Sequence, residues 1–269
     1  MDTTLVINLL IGLVAGVLAG MFGIGGGVVI VPALILLSGF SIVLANGTSL
    51  AALLLPVGIL AVMSYYRADL IDLKISGLMA TGLIIGVIAG SFIALNIPTN
   101  SLKFIYGLFL LYVSWNFMKP MELWRKYIRK EEIIIENKQE KSHRDYKLYF
   151  FPLVGLSAGV MSGLFGIGGG LVIVPMLIAF LHMDTKRSVG TSLGALLLPV
   201  TLPGVLIYYN AGQLNIPYAV TVAAGLVLGA LVGAKITISL PAMTVKRIYS
   251  LFLLFMGINF IYTAIIAEL

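Results

Sequence analysis

Cysteine is absent from the 269 residues, which excludes disulfides, thiolate metal sites and any relay through a protein thiol. Charge is the next shortage. Lys, Arg, Asp and Glu make up 10% of the chain against 60% hydrophobic residues, with a mean hydropathy of +1.08; soluble domains carry about 25% charged residues. None of the four occurs in 3–66, 75–102, 148–183 or 188–234. Each of these windows can hold one or more apolar spans of about 20 residues. A polar alternation that would suit barrel strands is missing, so the runs read as helices and the chain as an all-α polytopic membrane protein in contact with the lipid bilayer.

The charges that exist are concentrated. Of 17 basic and 11 acidic residues, fifteen lie in 119–147, including Arg125-Lys126, Arg129-Lys130 and the run EEIIIE. The formal charge of +6 is therefore a matter of membrane topology, and gives no reason to expect nucleic acid. The stretch 119–147 reads as a solvated linker on the cytoplasmic side. It separates a first transmembrane repeat, 1–118, from a second, 148–269.

The repeat is legible directly. Residues 20–32 read GMFGIGGGVVIVP and residues 163–175 read GLFGIGGGLVIVP. Shifting the chain by 143 residues continues the match without a gap through Thr48-Ser49 and Thr191-Ser192, Pro56 and Pro199, Tyr65-Tyr66 and Tyr208-Tyr209, and Asn116 and Asn259. Each copy holds about five apolar segments: 5–20, 28–44, 47–66, 75–96 and 103–118, then 148–163, 171–183, 188–209, 217–239 and 247–267. With the linker in the cytoplasm, the positive-inside rule favours an odd number of crossings per copy. The halves then form two inverted repeats. In such folds, short glycine-interrupted segments at matching positions mark a substrate site near the midplane.

Four glycines in five residues weaken a helix by about 1 kcal/mol each relative to alanine, so each helix is expected to break at its glycine stretch. Buried broken backbone presents amides at the start of the next helix, where they attract anions. This makes Gly23, Gly25, Gly26 and Gly27, with Gly166, Gly168, Gly169 and Gly170, candidate substrate-binding residues. The competing reading is that these glycines only permit close helix packing. The spacing excludes a nucleotide loop, since GIGGG is not G-x-G-x-x-G and no Lys-Ser/Thr follows.

A second polar constellation, Asn46-Gly47-Thr48-Ser49, is matched by Val189-Gly190-Thr191-Ser192. Its hydroxyls can cap helices or donate to an oxyanion, which adds Asn46, Thr48, Ser49, Thr191 and Ser192 to the candidates; helix-helix glue is the plainer alternative. Pro56 and Pro199 are expected to kink their segments, and the paired tyrosines to lie in an interfacial belt. Lys235 reads as a snorkelling cation. The motif GLSAG at 155–159 fits G-x-S-x-G, but it lies in an apolar helical run and its copy has Val14 for Ser157, so it carries no hydrolase reading and no catalytic residue is assigned. No cofactor and no metal site are expected.

At the doubled GIGGG-x-V-x-VP stretch and the Gly-Thr-Ser that follows it, the chain resembles the sulfite exporter TauE/SafE family, also called toluene-sulfonate uptake permeases. The resemblance covers everything except the linker. It implies a multi-pass permease of the prokaryotic plasma (inner) membrane, moving sulfite, a sulfonate or another small sulfur-containing anion by alternating access, and leaves a homodimer open. A reading from another class is a non-transporting membrane scaffold or sensor.

Overall fold

The computed structural model describes residues 3–22, 25–54, 59–118, 148–181, 183, 185–239 and 242–266. Linker 119–147, Gly23, Pro56, His143 and His182 lie outside them, and the side chains of Lys235, Lys246 and Arg247 are likewise outside the description. Among the described residues the regular structure is entirely helical. The first copy gives α1 (Thr3–Phe22), α2 (Gly27–Ser38), α3 (Ile42–Ala52), α4 (Ile59–Arg67), α5 (Leu73–Asn96) and α6 (Thr99–Met118). The second gives α7 (Phe150–Phe165), α8 (Gly170–Leu181), α9 (Thr185–Leu197), α10 (Leu202–Asn210), α11 (Ile216–Ser239) and α12 (Ala242–Ile266). Adding 143 to the bounds of α2, α4 and α5 reproduces α8, α10 and α11 at both ends.

Each copy thus has six helices where five segments were expected, because its third segment is two helices. In the second copy the break is at Pro199, which lacks the amide that would continue α9; Arg187–Leu197 and Leu202–Asn210 meet at 49°. The second segments are also shorter than expected. Gly39, left-handed at φ 67°, caps α2 by donating its amide to the Leu34 carbonyl, so the helix stops there.

By length and apolarity, Leu73–Asn96 is the one described helix able to cross a membrane alone, and the bent pair around Pro199 would together make a second.

The chain forms two compact units, and neither follows a sequence half. One comprises Met1–Leu102 with Leu148–Ser239; the other comprises Lys103–Lys147 with Leu240–Leu269. The larger unit is built by exchange of partners. Helix α1 packs along α11 of the other copy, and α5 packs along α7. Both seams are lined by glycines four residues apart: Gly12 and Gly16 with Gly225 and Gly229, then Gly82, Gly86 and Gly90 with Gly155, Gly159 and Gly163. A Cβ on any of them would overlap backbone of the facing helix. Gly12 faces Val222 and Gly16 faces Leu226, while Gly82 faces Pro152 and Gly90 faces Val160, so both seams are parallel. Small residues let helix backbones touch, which is how helices associate where burial from water cannot drive them together.

The surface of this unit is unlike that of a water-soluble domain. Asn8, Asn46, Thr48, Ser49, Ser91 and Ser162 are among its buried residues, whereas Leu37, Ile85, Phe92, Phe180 and Val220 are each more than half exposed. An apolar outside around an apolar core that also holds hydroxyls and amides is an arrangement a lipid solvent permits.

In the smaller unit, α6 and α12 pack antiparallel. Gly107 meets Gly257 and Ile261, and the Ser114 hydroxyl donates to the Ser250 carbonyl at 2.7 Å. These helices are each other's repeat mates.

Candidate functional site

The two glycine stretches meet. Gly25 and Gly26 lie at φ 81° and 70°, Gly168 and Gly169 at φ 80° and 82°, a left-handed backbone that glycine adopts at no steric cost. This is why the helices break here. A Cβ on Gly27 would overlap the Gly166 carbonyl and Ile167 backbone, and one on Gly25 would reach the Ile167 carbonyl at 3.4 Å. Backbone from both copies is therefore in contact at one place. Each following helix closes its first turn on a glycine carbonyl: Val29 and Ile30 donate to Gly26 at 3.0 and 3.2 Å, and Val172 and Ile173 to Gly169 at the same distances. The Gly27 amide turns back to the Gly25 carbonyl at 2.8 Å. One of the amides expected to face an anion, that of Gly27, is thus engaged within the stretch itself.

Side chains gather round the second stretch. The Ser49 hydroxyl donates to the Gly166 carbonyl at 2.7 Å, the Asn46 amide to the Leu164 carbonyl at 2.6 Å, and the Tyr208 hydroxyl to the Gly163 carbonyl at 2.8 Å. The last turn of α7 leaves carbonyls without helical partners, and these three residues from α3 and α10 satisfy them. Tyr208 is therefore fully buried and not part of an interfacial belt; its neighbour Tyr209 is exposed. Nothing in the spacing of the tyrosines separated the two.

Thr48 and Thr191 do a different job. The Thr48 hydroxyl accepts from the Asn215 amide at 3.1 Å and the Thr191 hydroxyl from the Asp72 amide at 3.2 Å. Asn215 and Asp72 are repeat mates that cap α11 and α5, their side chains accepting from Tyr218 and Ile75. Each threonine thus anchors the start of a long helix belonging to the other copy. On one side Arg187 lies 3.6 Å from Asp72; the mate positions hold Leu44 and Asn215.

Among the described residues no charged side chain is buried, so the polar interior consists of neutral donors and acceptors. Several have no partner: Asn46 Oδ1, Ser91 Oγ, Ser162 Oγ and Ser192 Oγ. Of these, Ser91 and Ser162 were not anticipated, although comparing the copies residue by residue would have shown Ser91 against Ala234 and Ser162 against Ala19. Ser157, of the hydrolase-like motif, donates back to the Val154 carbonyl at 2.9 Å, and its flanking glycines serve the α5–α7 seam. An open groove of about 400 Å³ between α3, α10 and α11, lined by Leu54, Val205 and Ala223 among others, is almost wholly apolar and unsuited to an anion.

Comparison with known proteins gives a coherent result. The family model described as "Sulfite exporter TauE/SafE" matches residues 8–260. "Probable membrane transporter protein YunE" of Bacillus subtilis (strain 168) is 28% identical, with 97% of this chain and 98% of that protein aligned. "Probable membrane transporter protein MJ0441" of Methanocaldococcus jannaschii is 30% identical over 85% of this chain and 84% of its own length. A "Probable membrane transporter protein" of Haemophilus influenzae is 28% identical over 96% and 98%. No solved structure matches the chain.

Proposed function

We propose, from the premise that the chain belongs to the sulfite exporter TauE/SafE family of membrane transporters, that it carries sulfite, a sulfonate or another small organosulfur oxyanion across the prokaryotic plasma membrane. In this reading 1–118 and 148–269 are inverted repeats crossing the bilayer several times, linker 119–147 is cytoplasmic, and access alternates as one repeat moves against the other. The antiparallel packing of α6 on its own mate α12 supports the inversion, since repeats of like orientation would place mates parallel.

The observation that carries the proposal is the meeting of Gly25 and Gly27 with Gly166 and Ile167, surrounded by neutral hydrogen-bonding groups. A site of neutral donors can hold an oxyanion without a buried ion pair, which would oppose its release. Export then needs no coupled cation, because an inside-negative potential drives an anion outward by about 2.3 kcal/mol per charge per 100 mV. The donors in this reading are Gly25, Gly26 and Gly168–170 with Ser192; Gly27, Gly166, Asn46 and Ser49 shape the site with their own donors engaged, while Thr48 and Thr191 hold the frame. Flux of labelled sulfite, thiosulfate, sulfate and sulfonates into proteoliposomes tests this. Transport of at least one above empty vesicles is expected, and none for any of them would sink the reading.

The scaffold or sensor reading draws on the same glycines. Gly26 faces Ala15, Ala19 and Leu226, and Gly169 faces Leu83 and Ala158, so each wedges a broken helix against a seam. A folded protein that moves no small anion would favour it.

A further inference from the structure

Buried serines in this fold are usually bonded. Ser49 donates to Gly166, Ser76 to Thr191 and Ser114 to Ser250, each to a carbonyl at 2.7–2.8 Å. Part-buried Ser157 uses its own helix, as a serine within a helix ordinarily does. Ser91 and Ser162 depart from this pattern: both are 0% exposed and neither hydroxyl has a partner. Ser162 lies in the last turn of α7, and the backbone of Ser91 packs against that same turn. A Cβ on Gly163, the residue after Ser162, would come within 2.6 Å of the Ser91 amide, and one on Gly204 would come within 2.9 Å of Ser91 Oγ. Tyr208, one turn beyond Gly204, donates to the Gly163 carbonyl. Asn46 reaches the same turn through Leu164, with its Oδ1 left over.

The mates of these residues are apolar. Asn46 corresponds to Val189, Ser91 to Ala234 and Ser162 to Ala19. Close backbone packing is kept in both copies, so the repeat does not require hydroxyls at these places for its fold. A buried hydroxyl deprived of water and of any partner is a cost that a fold sheds by mutation unless something else uses it. Ser192 is also unpartnered, but its mate Ser49 is bonded to Gly166, so that pair is retained in both copies.

We infer that Ser91 and Ser162 form the donor half of a one-sided oxyanion site beside the end of α7, in which both hydroxyls donate to the anion, Asn46 only holds the helix end through the Leu164 carbonyl, and the pseudo-symmetric position at the end of α1 binds nothing. This rests on the transporter reading and specifies it: the two glycine stretches contribute backbone, while the discriminating side chains, Ser91 from the first copy and Ser162 from the second, stand at only one of the two pseudo-symmetric helix ends.

The test borrows each replacement from the other repeat, so the substituted residue is one this scaffold already accommodates. Ser91→Ala and Ser162→Ala are compared with Ala19→Ser as control, measuring sulfite uptake into proteoliposomes and the thermal shift caused by sulfite, methanesulfonate or thiosulfate. Each serine variant is expected to lose about tenfold in uptake, the worth of a hydrogen bond to a charged group. Its unliganded Tm should be unchanged or raised, and its ligand-induced shift abolished; Ala19→Ser should stay within about twofold of wild type. Wild-type uptake with a lowered Tm in Ser91→Ala and Ser162→Ala would overturn the inference, because the hydroxyls would then be structural. If wild type shows no flux, the transporter reading fails separately. The site then stands if an anion stabilises wild type and not the serine variants, and falls if no anion shifts either.

Discussion

The α1–α11 and α5–α7 seams can be compared with the helix ends they lead to. Along the seams the glycines agree position for position: Gly12 and Gly155, Gly16 and Gly159, Gly82 and Gly225, Gly86 and Gly229 are all mates. At the helix ends the copies part. Asp72 with Arg187 stands opposite Asn215 with Leu44, and Asn46 opposite Val189. Where backbone touches backbone only glycine fits, so duplication leaves the residue no room to drift. Where the contact is made by a side chain, many side chains can fill the space and the halves become chemically distinct.

The strongest way to break this comparison is to load the seams. Gly86→Leu and Gly229→Leu each force a side chain into the facing helix backbone, at a cost of more than about 3 kcal/mol. Both should abolish the monodisperse peak in fluorescence-detected size exclusion, and to the same degree. A seam that tolerated leucine would show that its glycines are not packing residues.

Smaller effects sharpen the comparison at the helix ends. Thr48→Val and Thr191→Val each remove the acceptor for the capping residue of a long helix, and each should lower stability by about 1 kcal/mol, read as similar drops in Tm. Tyr208→Phe should cost about the same, by leaving the Gly163 carbonyl unsatisfied, whereas Tyr65→Phe should cost less, since the Tyr65 hydroxyl has no hydrogen-bond partner among the described residues. Asp72→Asn keeps a capping side chain and removes the half-exposed pair with Arg187, so a loss of about 0–1 kcal/mol that fades with added salt is expected. Ser157→Ala should change neither stability nor flux measurably.

These differences also explain what was readable beforehand. Charge-free windows and a 143-residue repeat give helices, their approximate limits and the breaks at the glycine stretches, because each follows from local composition. The splitting of each third segment was half legible: Pro199 announces a bend, but a kink and a full break share the same letters. Partner exchange was not legible, since the four-residue glycine stripes say that a helix packs closely without saying on which neighbour. The roles of the hydroxyls were hidden for a related reason. Thr48, Ser49 and Ser91 are similar groups in apolar runs, and only their surroundings make the first an anchor, the second a carbonyl partner and the third an unpartnered donor.

Partner exchange has a consequence in time. Helix α1 leaves the ribosome first, yet the helix that fills its glycine stripe is made about 200 residues later, roughly 10–40 s at ordinary synthesis rates. During that wait α1 has no seam to join, whereas α5 meets α7 much sooner. Assembly should therefore start at the α5–α7 seam and enclose the N-terminal helix last. Stalled nascent chains ending near residue 200 would reveal this as an α5–α7 seam already protected while α1 remains open to protease or crosslinker.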